Sequence, residues 1–68
     1  MNTYILYHNF DNLSMPDFIK QMAGEYQAKT GIQPVECLIN PVHSLEGTID
    51  GIKIVQDDKT QPSEIMLR

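Results

Sequence analysis

Only one stretch of this 68-residue sequence carries the pattern of an amphipathic helix, and its other apolar runs are short. A chain with a single helix can cover one face of a sheet and no more, so any sheet it builds keeps a second face that its own helix cannot reach. In the helical stretch, Met15, Phe18, Ile19, Met22 and Tyr26 recur at the i, i+3, i+4, i+7 spacing of one apolar face. Ser14 is a good N-cap, and Asp17 three residues on resembles a capping box with a shorter acid. Leu13 and Phe18 occupy the two positions of a hydrophobic staple, while Pro16 falls in the first turn, whose N–H groups have no intrahelical partner. Lys29 suits the last turn and Gly31 supplies the stop. Gly24 inside the run costs about 1 kcal/mol relative to alanine. The spacing predicts a helix over residues 15–30.

The remaining apolar runs read as strands. Residues 3–8 are rich in β-branched and aromatic side chains, with Tyr4 and Leu6 on one parity and Ile5 and Tyr7 on the other. Apolar residues on both parities predict a central strand covered on both sides. Asn9-Phe10-Asp11-Asn12 reads as a turn. Pro34 opens a segment whose strand, residues 35–39, ends at Asn40-Pro41, with loop over 42–47. Asp50-Gly51 is a type I′ turn signal between Thr48-Ile49 and residues 52–55, and a connection over 57–62 leads to a last strand at residues 64–67. A strand, a helix and a strand imply a right-handed crossover with those two strands parallel. The expected fold class is α+β, close to α/β: a β-α-β-β-β chain with a mixed sheet and one helix packed on one face, forming a single domain over residues 1–68. Strand order is left open.

Size and charge limit the function classes. Area scaling for 7.8 kDa predicts about 4,400 Å² of folded surface against roughly 11,300 Å² unfolded. Burial and chain ordering each come to about 100 kcal/mol, so a partner, a ligand or very good packing should help hold the fold. A deep, self-contained catalytic cleft is not expected, and the chain reads as a non-enzyme. Net charge is −4, and Lys20, Lys29, Lys53, Lys59 and Arg68 are scattered, which disfavours direct nucleic-acid binding. No apolar run approaches a membrane span, and the N-terminus lacks the basic region and cleavage site of a signal peptide. A single cysteine, Cys37, excludes an internal disulfide framework, so the cytoplasm is the expected location.

Several side chains invite chemistry. Cys37 and His43 suggest a nucleophile and base, but Cys37 falls mid-strand, where a small core residue is expected. His8 and His43 with Glu36, Asp57 or Asp58 suggest metal ligands, yet neither zinc spacing nor a calcium loop is present, and solvated loop charges or a partly buried His8 at a strand end are expected instead. Gly31, Gly47 and Gly51 are too far apart for a phosphate-cradling loop. Met15, Met22 and Met66 stand at core-compatible positions rather than in a methionine-rich groove. No catalytic, cofactor or metal residues are assigned. Glu36, Glu46, Asp50, Asp57, Asp58 and Glu64 make the C-terminal half acidic, which fits an inhibitor or regulator docking on a basic surface of another protein.

The run Ile49-Asp50-Gly51-Ile52-Lys53-Ile54-Val55-Gln56-Asp57, followed by Pro62 and Ile65-Met66-Leu67, resembles the closing hairpin of small uncharacterised phage- and prophage-encoded α/β proteins. The resemblance covers about 18 of the 68 residues. It departs at Lys53, where such hairpins often carry proline, and at Ser63, where they often carry glycine. It implies an α/β unit and an accessory role on a mobile element, and it transfers no site residues.

Strand alternation divides the apolar side chains into two sets. Ile5, Tyr7, Val35, Cys37, Ile39, Ile52, Ile54, Ile65 and Leu67 form one, which the helix is expected to cover. Tyr4, Leu6, His8, Glu36, Leu38, Lys53, Val55, Glu64 and Met66 form the other, which nothing in the chain covers. Its apolar members Tyr4, Leu6, Leu38, Val55 and Met66 are the expected interface, and a homodimer or a foreign protein partner is the expected occupant.

Overall fold

A computed structural model describes residues 3–68 of the chain. Met1 and Asn2, on which the reading of the N-terminus partly rests, lie outside the described residues. The elements run β1 (Ile5–His8), α1 (Met15–Thr30), β2 (Glu36–Ile39), a 3-10 turn (Pro41–His43), β3 (Thr48–Ile49), β4 (Ile52–Gln56) and β5 (Glu64–Leu67). This is an α+β fold with one helix and a five-stranded mixed sheet. The predicted β-α-β-β-β order stands, with the hairpin arm Thr48–Ile49 forming a fifth short strand.

The helix begins and ends at the predicted residues because its caps form. Ser14 Oγ accepts the Asp17 N–H at 3.4 Å, so only the serine half of the capping box is made. The Asn9 side chain brackets the entry by bonding both the N–H and the C=O of Leu13. At the other end Gly31 takes φ +75° and donates to Gln27 O, a left-handed stop. Met15, Phe18, Ile19, Met22 and Ala23 are buried on the inner face, with Leu13 and Tyr26 half-buried beside them. They pack on Cys37, Ile39, Ile52, Ile54, Ile65 and Leu67, six of the nine residues of the predicted inner set, with Tyr7 half-buried against them. The folded surface is 4330 Å², close to the value expected from mass.

Strand order is β1-β5-β2-β4-β3. β1 and β2 run in the same direction, as the crossover predicts, but β5 lies between them and antiparallel to both. The parallel neighbour of β2 is β4, and β3 closes the far edge as a hairpin arm. Asp50 and Gly51 have φ +51° and +79°, the two positive values a type I′ turn requires.

Three expectations are corrected. β1 is an edge strand rather than a central one. Its apolar residues on both parities arise because one side meets the helix layer and the other belongs to the uncovered face, where Leu6 is 53% exposed. Val35 shares the parity of Cys37 and Ile39 but is 62% exposed, since it precedes β2 at the margin of the helix layer. Met66, unlike the buried Met15 and Met22, lies half-buried on the uncovered face.

Candidate interaction surface

The register lines up the uncovered face in rows. Leu6 stands opposite Met66, Met66 opposite Leu38, and Leu38 opposite Val55, so four apolar side chains cross four adjacent strands in one line. Alternation puts all four on the side away from the helix. Leu38, Met66 and Val55 are half-buried by one another and by their neighbours, while Leu6 is the exposed end of the row. Four of the five predicted interface residues therefore fall in one line.

The fifth, Tyr4, belongs to the polar row alongside. Arg68 and Glu36 exchange two backbone hydrogen bonds, each 3.1 Å, which extends the ladder one residue past β5. Arg68 Nε also donates to Glu36 Oε1 at 2.9 Å, and the Tyr4 hydroxyl donates to the same oxygen. The Arg68 guanidinium lies 5.4 Å from the Tyr4 ring centroid. Lys53 stands opposite Glu36, and Thr48 opposite Lys53, so the row reads Tyr4, Arg68, Glu36, Lys53, Thr48. The Arg68 hydrogen bond, then that of Tyr4, holds the Glu36 carboxyl below its ordinary range. The hydrogen bond that Tyr4 donates to Glu36, then burial, in turn holds the Tyr4 hydroxyl protonated, above the ordinary tyrosine range. On the opposite flank His8 faces Glu64 across the ladder, with Nδ1 3.6 Å from the carboxylate, and its ring meets that of Phe10 at 4.6 Å between centroids, tilted by 50°.

The catalytic and metal candidates do not converge. Cys37 is fully buried between sheet and helix, and burial pushes its thiol up to about 12, so it is no thiolate nucleophile. His43 sits in the 3-10 turn with Nε2 2.6 Å from Pro62 O, tying that turn to the β4–β5 connection. Asp57 accepts from the buried Thr60 hydroxyl at 2.9 Å within the same connection. Among the described residues, no three His, Cys, Asp or Glu side chains gather as metal ligands. No helix among them is long and apolar enough to cross a membrane.

Sequence reasoning misses Arg68, which reads there only as one scattered cation. Its parity with Met66 was the available signal, since alternation continued by two residues puts it on the uncovered face. Phe10, read only as part of a turn, is 86% exposed beside β1.

No protein-family model matches the chain, and neither does any curated protein or solved structure.

Proposed function

We propose that this chain is a non-enzymatic protein-interaction module that pairs with a second copy of itself through the uncovered sheet face. The observation that carries the reading is the row Leu6–Met66–Leu38–Val55, an apolar line that no helix among the described residues covers. The row of charges beside it favours a second copy over a foreign protein. A two-fold axis along the strands, between β5 and β2, lays Met66 of each copy on the other's Leu38 and Leu6 on the other's Val55. The same operation brings Arg68 over the other copy's Glu36, so opposite charges meet at two symmetric positions, and sets the neutral Tyr4 over its Lys53. Two twisted sheets packed face to face, about 10 Å apart and about 30° askew, accommodate this arrangement.

The footprint sets the strength. Five strands about 4.8 Å apart and about 13 Å long span a planar area of about 300 Å² per copy, about 600 Å² for the pair, which is below the roughly 1,200 Å² at which stable specific interfaces begin and in the range of weak, transient contacts. Pairing is therefore weak and concentration-dependent. Light scattering over a concentration series should show the mass rising from 7.8 kDa toward twice that value. Leu38→Lys should hold it at the monomer. A monomer at every concentration, with unchanged stability in Leu38→Lys, removes the reading.

Docking on a basic surface, the acidic-regulator alternative, draws less support. Glu36 is already paired with Arg68, and Glu64 already faces His8. A steep salt dependence of partner binding would favour it. Either role suits an accessory protein of a mobile element, as the hairpin resemblance implies.

A further inference from the structure

The outer side of β1 presents a different surface. Asn9 donates its backbone N–H to Ser63 O at 2.8 Å, and antiparallel alternation then turns the backbone groups of Ile5, Tyr7 and Asn9 toward β5. Those of Leu6 and His8 point the opposite way, where the sheet ends. The Phe10 N–H takes the His8 carbonyl at 3.0 Å. The Leu6 N–H and C=O and the His8 N–H are left without partners among the described residues, a template for one more strand.

A groove of about 300 Å³ opens between β1 with its following turn and α1. Leu13, Phe18 and Met22 give it an apolar floor, Gln21 and Glu25 of the helix form a wall, and Asp11 also lines it. Among the described residues that line it are two acids and one histidine, His8, and no lysine or arginine. Tyr7, whose hydroxyl is buried with no hydrogen-bond partner among the described residues, lines it too.

We propose that this edge takes an extended, basic peptide segment of another protein as a sixth strand, with one apolar side chain in the groove. Outward N–H and C=O groups on a short edge strand are satisfied by another extended backbone, and the period of two delivers alternate side chains into the groove. The acids Asp11 and Glu25 select lysine or arginine flanking the apolar anchor. A second copy of this chain fits poorly, because two β1 edges joined together would bring these acids face to face. The surface lies at the end of the sheet, so the proposal does not rest on pairing through the uncovered face.

The test is an amide NMR titration of the full chain with capped heptapeptides of sequence Thr-Lys-Val-Xaa-Val-Lys-Thr, where Xaa is Leu, Ile, Met or Phe and both lysines share its face. At least one should shift the Leu6 and His8 amides and slow their hydrogen exchange at least ten-fold. The same peptide with Glu in place of Lys, or with alternate backbone amides N-methylated, should bind at least ten-fold more weakly, and so should the native peptide on Glu25→Lys. The proposal is overturned if no peptide binds at millimolar concentration or if N-methylation leaves binding unchanged. Shifts centred on Leu38 and Val55 rather than on β1 overturn it as well, while supporting the uncovered face as the docking surface.

Discussion

Leu38 of β2 and Met66 of β5 stand directly opposite each other on the sheet face that the helix does not cover. They are the midpoint of the apolar row, and β5 reaches that midpoint only because it inserts between β1 and β2. The order of strands therefore turns four separate residues into one surface, and the polar cluster beside that surface is where its pH dependence lies.

Glu36 is held ionised in the folded chain first by the Arg68 hydrogen bond and then by that of Tyr4. A depressed carboxyl contributes stability that is present above its unfolded value, about 4.3, and is lost as pH falls through the lower folded value. Tyr4 is raised, so its share is full below about pH 10 and is lost as pH climbs past its folded value. Urea midpoints of the native chain and Glu36→Gln should differ by a constant amount from about pH 6 to 9 and converge below about pH 4. A difference independent of pH down to pH 2 would contradict the cluster.

Cys37 should be inert to thiol reagents at neutral pH. Its side chain is fully buried, and the thiol pushed up to about 12 supplies almost no thiolate. Labelling should track opening of the core, rising with urea up to the unfolding transition. Labelling at the denatured rate in native buffer would place the residue outside the core.

Ser14→Ala should cost about 0.5 kcal/mol, the low end for an N-cap, because the bond to Asp17 N is 3.4 Å long and exposed. Thermal or urea unfolding measures it. A loss above about 2 kcal/mol would mean that the side chain does more than cap.

Asn40→Ala should cost more. Its side chain accepts from Val42 N at 2.9 Å and donates to Thr60 O at 2.9 Å, joining the end of β2 to the β4–β5 connection. Losing two hydrogen bonds at about 1 kcal/mol each predicts roughly 2 kcal/mol. A cost equal to that of Ser14→Ala would show that the bridge contributes little.

The helix and the type I′ turn were legible because their signals are local. Ser14, Leu13, Phe18 and Gly31 act within a turn or two of themselves, and Asp50-Gly51 acts within the hairpin. The two faces were legible from period-two alternation, with Val35 failing only because parity says nothing about where the helix layer stops. Strand order was not legible, because the residues of β5 pair as readily with one strand as with another and the choice is made by closure of the whole sheet. Both the edge position of β1 and the place of Arg68 beside Glu36 follow from that choice, so neither could be read in advance.

The most direct measurement of the central claim is an isotope-filtered methyl NMR experiment on a mixed sample, half labelled and half unlabelled, at millimolar concentration. Only contacts between copies survive the filter. Pairing through the uncovered face predicts cross-peaks from Met66 of one copy to Leu38 of the other, and from Leu6 to Val55, all lost in Leu38→Lys. A spectrum with no contacts between copies, from a sample whose mass stays at 7.8 kDa, would contradict it.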